Sequence, residues 1–240
     1  MTPPKRALAE RRWPPDLEEV LGGQPSPLPQ EFYRRPTLRV ARDLLGCILV
    51  HRTSDGATAG LVVEVEAYRG PKDRGAHSFG GRRTARNEVM YGAPGYAYVY
   101  FTYGMHFCMN VVTEEEGRPE AVLLRALRPL AGVALMRRRR SLDRDVPAER
   151  LARGPGNLCR AMGIDRSRNG ADLTAGDLSL YAGETIRGAA VARSPRIGID
   201  YAGEWAGRPW RWFLRDDPAV SRARVSGTAV GFERVRRVLS

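Results

Sequence analysis

Two glutamates two residues apart, Glu64 and Glu66, sit in a run over residues 59–68 where apolar and polar positions alternate. A period of two is the pattern of a strand. It puts Val62, Glu64, Glu66 and Tyr68 on one face and Leu61, Val63, Val65 and Ala67 on the other. A carboxylate held beside valines resists ionisation, which suits a general base. The same spacing also fits a solvent-exposed sheet face with no chemistry. A second cluster, residues 96–103, holds four tyrosines; Tyr96, Tyr98 and Tyr100 share a face, and Tyr103 falls at a break before Gly104. Such a strand serves either core packing or the stacking of bases.

The elements that must position these groups can be read from periodicity. Residues 37–45 carry Leu38, Ala41, Leu44 and Leu45 at helical spacing, with Thr37 as N-cap after Pro36 and Gly46 as the stop. A strand is predicted over 47–52, with a turn at Ser54-Asp55-Gly56 before the glutamate strand. Residues 69–95 are rich in glycine and arginine without periodicity, and a loop of that length inside a domain is usually functional. Strands are predicted within 96–112 and over 121–127, and helices over 130–140 and 157–162. Gly154-Pro155-Gly156 leads into the second helix and Gly163 ends it. Short strands follow within 178–181, 189–199 and 208–215. Strands and helices mix without βαβ alternation, so the expected class is α+β: one domain over 31–240, with a mostly antiparallel curved sheet and flanking helices. Seven prolines within residues 1–30 predict a flexible arm ahead of it.

The chain of 240 residues carries a net charge of +12, a charge balance that favours a polyanionic partner. Lys5 and Lys72 are its only lysines, so arginine supplies the charge and lysine nucleophiles are scarce. Cys47, Cys108 and Cys159 are too few and unevenly spaced for a disulfide framework. His106 and Cys108 could share a strand face, but no second ligand pair completes a zinc site, so no metal or cofactor is expected. No apolar run reaches membrane-span length and no signal-peptide core begins the chain, which predicts a soluble intracellular protein, in the cytoplasm or nucleoid if the cell is bacterial. The run Arg137–Arg140 fits a solvated helix face or a phosphate contact, and Gly154-Pro155-Gly156 an ordinary loop or a phosphate grip.

Taken together, several blocks resemble the alkyladenine (3-methyladenine) DNA glycosylase family. They are Glu66-Ala67-Tyr68-Arg69-Gly70-Pro71, Ala76-His77-Ser78, Arg86-Asn87, Pro94-Gly95, Tyr98-Val99-Tyr100, and Tyr103-Gly104-Met105-His106-Phe107-Cys108-Met109-Asn110. Val122-Leu123-Leu124-Arg125-Ala126-Leu127, Gly154-Pro155, Leu158-Cys159 and Arg196-Ile197-Gly198 continue the match in the same order. The resemblance implies a monofunctional, cofactor-free enzyme of base excision repair. It would act as a monomer on double-stranded DNA, flipping out damaged purines and hydrolysing their N-glycosidic bond. It implies that Glu66 activates water and Arg125 holds that carboxylate and water. Tyr68, His77 and Tyr100 would wall the pocket for the flipped base, and Asn110 would crowd the 2-amino group of guanine. Tyr103 would enter the vacated stack, and His106 and Gly156 would meet the DNA backbone. His106 stands where some members of that family carry a tyrosine. Two other functions fit parts of the pattern: a metal-dependent nuclease using Glu64, Glu66 and Asp73, and a non-catalytic nucleic-acid-binding module.

Overall fold

The computed structural model describes residues 15–22 and 26–221. Five helices, α1 (Pro15–Leu21), α2 (Gln30–Tyr33), α3 (Thr37–Asp43), α4 (Val133–Arg140) and α5 (Pro155–Met162), surround one sheet. Its strands are β1 (Ile48–Thr53), β2 (Gly56–Tyr68), β3 (Ala97–Thr102), β4 (His106–Thr113), β5 (Glu120–Ala131), β6 (Leu178–Tyr181), β7 (Val191–Ser194) and β8 (Arg211–Leu214). Every pairing is antiparallel, in the order β3-β4-β5-β2-β1-β6, with β8 joining β2 to β7. This is the expected α+β class.

Strand β2 is the axis of the molecule. It pairs with β5 along most of its length, with β1 over Gly56–Leu61, and with β8 over Glu64–Glu66. Its register against β5 shifts on both sides of Glu64, where the partner on its other edge changes from β1 to β8. Such irregularities bend a strand and re-aim its side chains. Leu61, Val62, Val63 and Val65 are all buried, so both faces of this strand are covered. The exposed sheet face that the alternation allows is not formed, and Glu64 and Glu66 are themselves fully buried.

Several local expectations are corrected. Part of the proline-rich arm forms helix α1, whose Leu17 and Leu21 enter the core; residues 1–14 lie outside the described residues. Thr37 is the first residue of α3 rather than its cap. Its hydroxyl donates to Glu120 at 2.6 Å, tying the helix to the start of β5. Helix α4 begins three residues later than its pattern suggests, because Leu130 and Ala131 still belong to β5. Gly132 makes the turn between them in a left-handed conformation (φ 70°), where a Cβ would overlap the Ala57 carbonyl. The run Arg137–Arg140 is largely structural. Arg137 donates to the Asp143 and Val146 carbonyls, Arg139 to Thr53 and Ala161, and Arg140 to Leu151, which holds the following loop against the helix.

Candidate active site

The far end of β2 meets the β3–β4 hairpin, α5 and the loop before β8 around a cavity of about 300 Å³. Tyr68, His77, Tyr100, Asn110, Arg125 and Tyr103 all line it, so the structure brings these six together from five segments of the chain. Glu66 lies one layer behind the wall, in contact with three residues that form it. Its Oε2 accepts the Tyr68 hydroxyl at 2.9 Å, and its Oε1 accepts the Ile197 main-chain N–H at 2.7 Å. The Arg125 Nη1 stands 3.2 Å from the same Oε1. A carboxylate oxygen has room for two donors, so Oε2 keeps acceptor capacity on its unshared side.

The electrostatics of the site keep Arg125 charged and the rings beside it neutral. Burial works against the Arg125 charge, but Glu66 and Glu64 more than compensate and raise its pKa above the ordinary value. Burial, and then the Glu66 carboxylate, push the Tyr68 hydroxyl well above its usual range, so it donates as a neutral phenol. His77 is pushed down to about 4 by burial, with Arg86 and Arg82 adding to the effect. Its Nδ1 shares a 2.8 Å hydrogen bond with the Tyr98 hydroxyl. Its ring stands edge-on to Tyr100, with centroids 4.5 Å apart. Arg196 backs the Tyr68 ring at 4.7 Å and is itself locked to Asp73 by contacts of 2.5 and 2.8 Å. A neutral aromatic wall beside a buried carboxylate suits a flat, electron-poor guest, because a cationic ring gains from facing π-systems and loses beside an imidazolium.

Asn110 donates from Nδ2 to the Tyr98 carbonyl at 3.2 Å, which fixes its carboxamide at the cavity wall. Tyr103 stands at the mouth, 79% exposed, on a hairpin tip where it (φ 50°) and Gly104 (φ 67°) are both left-handed. His106 and Gly156 are not cavity residues, but they are neighbours. A Cβ on Gly156 would stand 2.8 Å from His106 Cγ, so the missing side chain lets α5 close on the hairpin. Gly154 caps α5 without a side-chain hydrogen bond and Pro155 lines the cavity, which places this helix N-terminus at the rim.

Other parts of the site have no forewarning in the sequence patterns. The Ile197 N–H, the Tyr98 partner of His77 and Arg196 lie in or near matched blocks but have no predicted role, and nothing in the sequence pairs Arg196 with Asp73. Tyr201, 71% exposed on the rim, lies just beyond a block. Asp73, grouped with Glu64 and Glu66 in the nuclease reading, faces Arg196 instead. Among the described residues no three His, Cys, Asp or Glu side chains are grouped to hold a metal. Among them, too, no helix is long and apolar enough to cross a membrane.

An aromatic slot with Arg125 in its wall and Glu66 behind it, on a strongly basic chain, suits a flat base of a nucleic acid. The pattern of one family, described as Methylpurine-DNA glycosylase (MPG), matches residues 31–218. A protein of Desulfitobacterium hafniense named "Putative 3-methyladenine DNA glycosylase" is 48% identical over 199 residues, covering 81% of this chain and 98% of its own. Proteins of the same name from Methanocella arvoryzae (49% over 196 residues, 81% and 96%) and Clostridium acetobutylicum (45% over 197 residues, 80% and 96%) are similar to the same extent. The chain belongs to the methylpurine-DNA glycosylase family: it is a DNA glycosylase, a hydrolase of N-glycosyl bonds in DNA repair.

Proposed function

We propose that this enzyme binds double-stranded DNA as a monomer, flips a damaged purine into the cavity, and cleaves its N-glycosidic bond with water activated by Glu66. The observation that carries the reading is the Glu66 carboxylate, braced by Arg125, Tyr68 and the Ile197 N–H directly behind an aromatic slot. A base inside a duplex cannot be attacked at C1′, so extrusion comes first, at a cost of a few kcal/mol. Tyr103 fills the gap in the stack and offsets part of that cost. The base enters between Tyr68 on one side and His77 with Tyr100 on the other. An alkylated purine such as 3-methyladenine is cationic and gains roughly 0.5–2 kcal/mol from such rings.

Glu66 takes a proton from water as the oxygen bonds to C1′, and the glycosidic electron pair leaves with the base. A cationic base departs neutral, so no acid is needed; a neutral lesion needs a proton from elsewhere. Arg125 steadies the carboxylate and the water, and Asn110 crowds a guanine 2-amino group, which disfavours undamaged guanine. His106 and the Gly156 N–H at the α5 N-terminus meet backbone phosphates. The acting unit is the domain over 31–240, and it works wherever the cell keeps its DNA.

Chemistry without an amine intermediate is favoured because Lys72 lines a separate cleft with Trp205 and Trp210, away from this cavity. Duplexes carrying single defined lesions, incubated with the protein in EDTA, test the reading. Abasic sites should form, and borohydride should trap no covalent adduct. Loss of activity in EDTA, or efficient trapping, would overturn it. Binding should weaken steeply with salt as released counterions are replaced.

A further inference from the structure

Glu64 is assigned no part in the step above, yet it sits at the centre of a dense network. Its Oε1 accepts Arg125 Nε at 2.8 Å, Arg211 Nε at 2.7 Å and the Ser221 hydroxyl at 2.7 Å, and its Oε2 accepts the Ser221 N–H at 2.6 Å. The carboxylate is fully buried and the two arginine side chains nearly so. Burial pushes the Glu64 carboxyl up, but Arg125, Arg211 and Ser221 outweigh that and leave it below its ordinary value, as an anion.

The geometry matters because Arg125 spans both carboxylates. Its Nε edge is held by Glu64, while Nη1 reaches Glu66 and Nη2 lies 3.4 Å from the Ser221 hydroxyl. A guanidinium is a rigid plane, so fixing one edge fixes where the other nitrogens fall. Released from Glu64, Arg125 would be free to turn and pair both nitrogens with Glu66, the geometry carboxylates favour, and so leave its place in the cavity wall. Ser221 lies three residues past the end of the matched family pattern, where the chain after β8 returns to β2.

We infer that Glu64, latched by Ser221, is a positioning residue that aims Arg125 at Glu66 and so sets the rate of the chemical step. The inference rests on the proposed role of Glu66 as base. The competing account is an ion cluster that holds β2, β5 and β8 together and nothing more.

A double-mutant cycle on the full chain separates the two, reading single-turnover excision and lesion-duplex affinity. Glu64→Gln should slow excision about 10- to 100-fold, the range for a misplaced catalytic group, with affinity nearly unchanged. In an Arg125→Ala background the same substitution should add less than about twofold, because its target is gone. Full multiplication of the two losses, or near wild-type excision by Glu64→Gln, would overturn the inference. Ser221→Ala removes one donor while keeping the main-chain bond, and should show the same non-additivity at about two- to fivefold. If Glu64→Gln does not fold, the Ser221→Ala cycle decides between the two accounts by the same criterion. Glu66→Gln is measured alongside. If it excises at the wild-type rate, the proposed base is wrong, whereas a dead Glu66→Gln with an additive Glu64→Gln removes the positioning role alone.

Discussion

Glu64, Glu66 and Arg125 lie on the central strands β2 and β5 with no more than 7% of their surface exposed, whereas Tyr103 and Met105 at the hairpin tip expose 79% and 70%. Arg125 and Tyr103 bring the two regions to one cavity, and the regions differ in the demands they meet. Glu66, the proposed base, is set on a central strand and hydrogen-bonded on both oxygens, the rigid placement that proton transfer from water requires. Tyr103, the proposed wedge, would have to be in water beforehand and covered afterwards, and its place on a tight turn meets that demand. Tyr103 occupies a left-handed conformation that non-glycine residues rarely adopt. The tip therefore holds its aromatic ring outward through backbone geometry, without packing around the side chain.

The largest effect should follow from breaking the buried side. Glu66→Gln keeps size and an oxygen for the Ile197 N–H and Arg125, but removes the basic lone pair. Single-turnover excision should fall by at least about 10²-fold, the lower range for lost acid–base catalysis. Lesion affinity should hold, measured by equilibrium binding on the same duplex. Near wild-type excision would remove Glu66 from the role of base.

The two sides were also unequally legible. The tip could be read directly, since Tyr103-Gly104 interrupts a strand pattern and the structure places a hairpin turn there. Most elements of the sheet followed from alternation in the same way. Alternation locates the glutamate strand but leaves its surroundings open between burial and solvent. Alternation reports two faces, and nothing local says that Val62, Glu64 and Glu66 would be covered as fully as Val63 and Val65. The Glu64 partners Arg211 and Ser221 lie 147 and 157 residues away in sequence, beyond any periodicity. The same limit hid α1: prolines mark its surroundings, while Leu17 and Leu21 gain their helical order by packing on the core.

At the exposed side, Tyr103→Ala should weaken binding to a lesion duplex by roughly 1–3 kcal/mol, the scale of lost base–aromatic stacking. Because the side chain touches little of the protein, the melting temperature should stay within about a degree. Single-stranded lesion DNA, which has no stack to refill, should lose much less affinity. Equal losses on both substrates would show that Tyr103 is not a wedge.

His77 belongs to the wall between the two regions, and pH probes it. Its folded value, about 4, lies below the ordinary 6.5. The unfolded chain therefore takes up a proton first as pH falls. The stability contributed by neutral His77 is complete above about pH 6.5 and is lost as pH falls through 4. Denaturant titrations at pH 7, 5.5 and 4.5 should show the wild type losing about 1–3 kcal/mol more than His77→Phe across that window. Parallel curves would mean the imidazole is not held neutral by its surroundings.

The smallest expected effect lies where the rim meets α5. Gly156 stands against His106, and an added Cβ would fall 2.8 Å from the ring's Cγ and 3.0 Å from Nδ1. The His106 ring is only half-buried, so it can swing away and the helix N-terminus can shift slightly. Gly156→Ala should therefore leave the fold and the single-turnover rate at saturation intact, and weaken DNA affinity about three- to tenfold, the cost of one disturbed phosphate contact. Adding His106→Ala removes the ring and with it most of the overlap. If the loss came only from that overlap, the double variant should bind nearly as well as wild type. If His106 itself holds a phosphate, His106→Ala alone should bind weakly, and Gly156→Ala should add little to it. Full affinity in Gly156→Ala would instead show that the α5 N-terminus does not touch DNA, leaving the hairpin tip and the buried layer as the two parts that decide binding and cleavage.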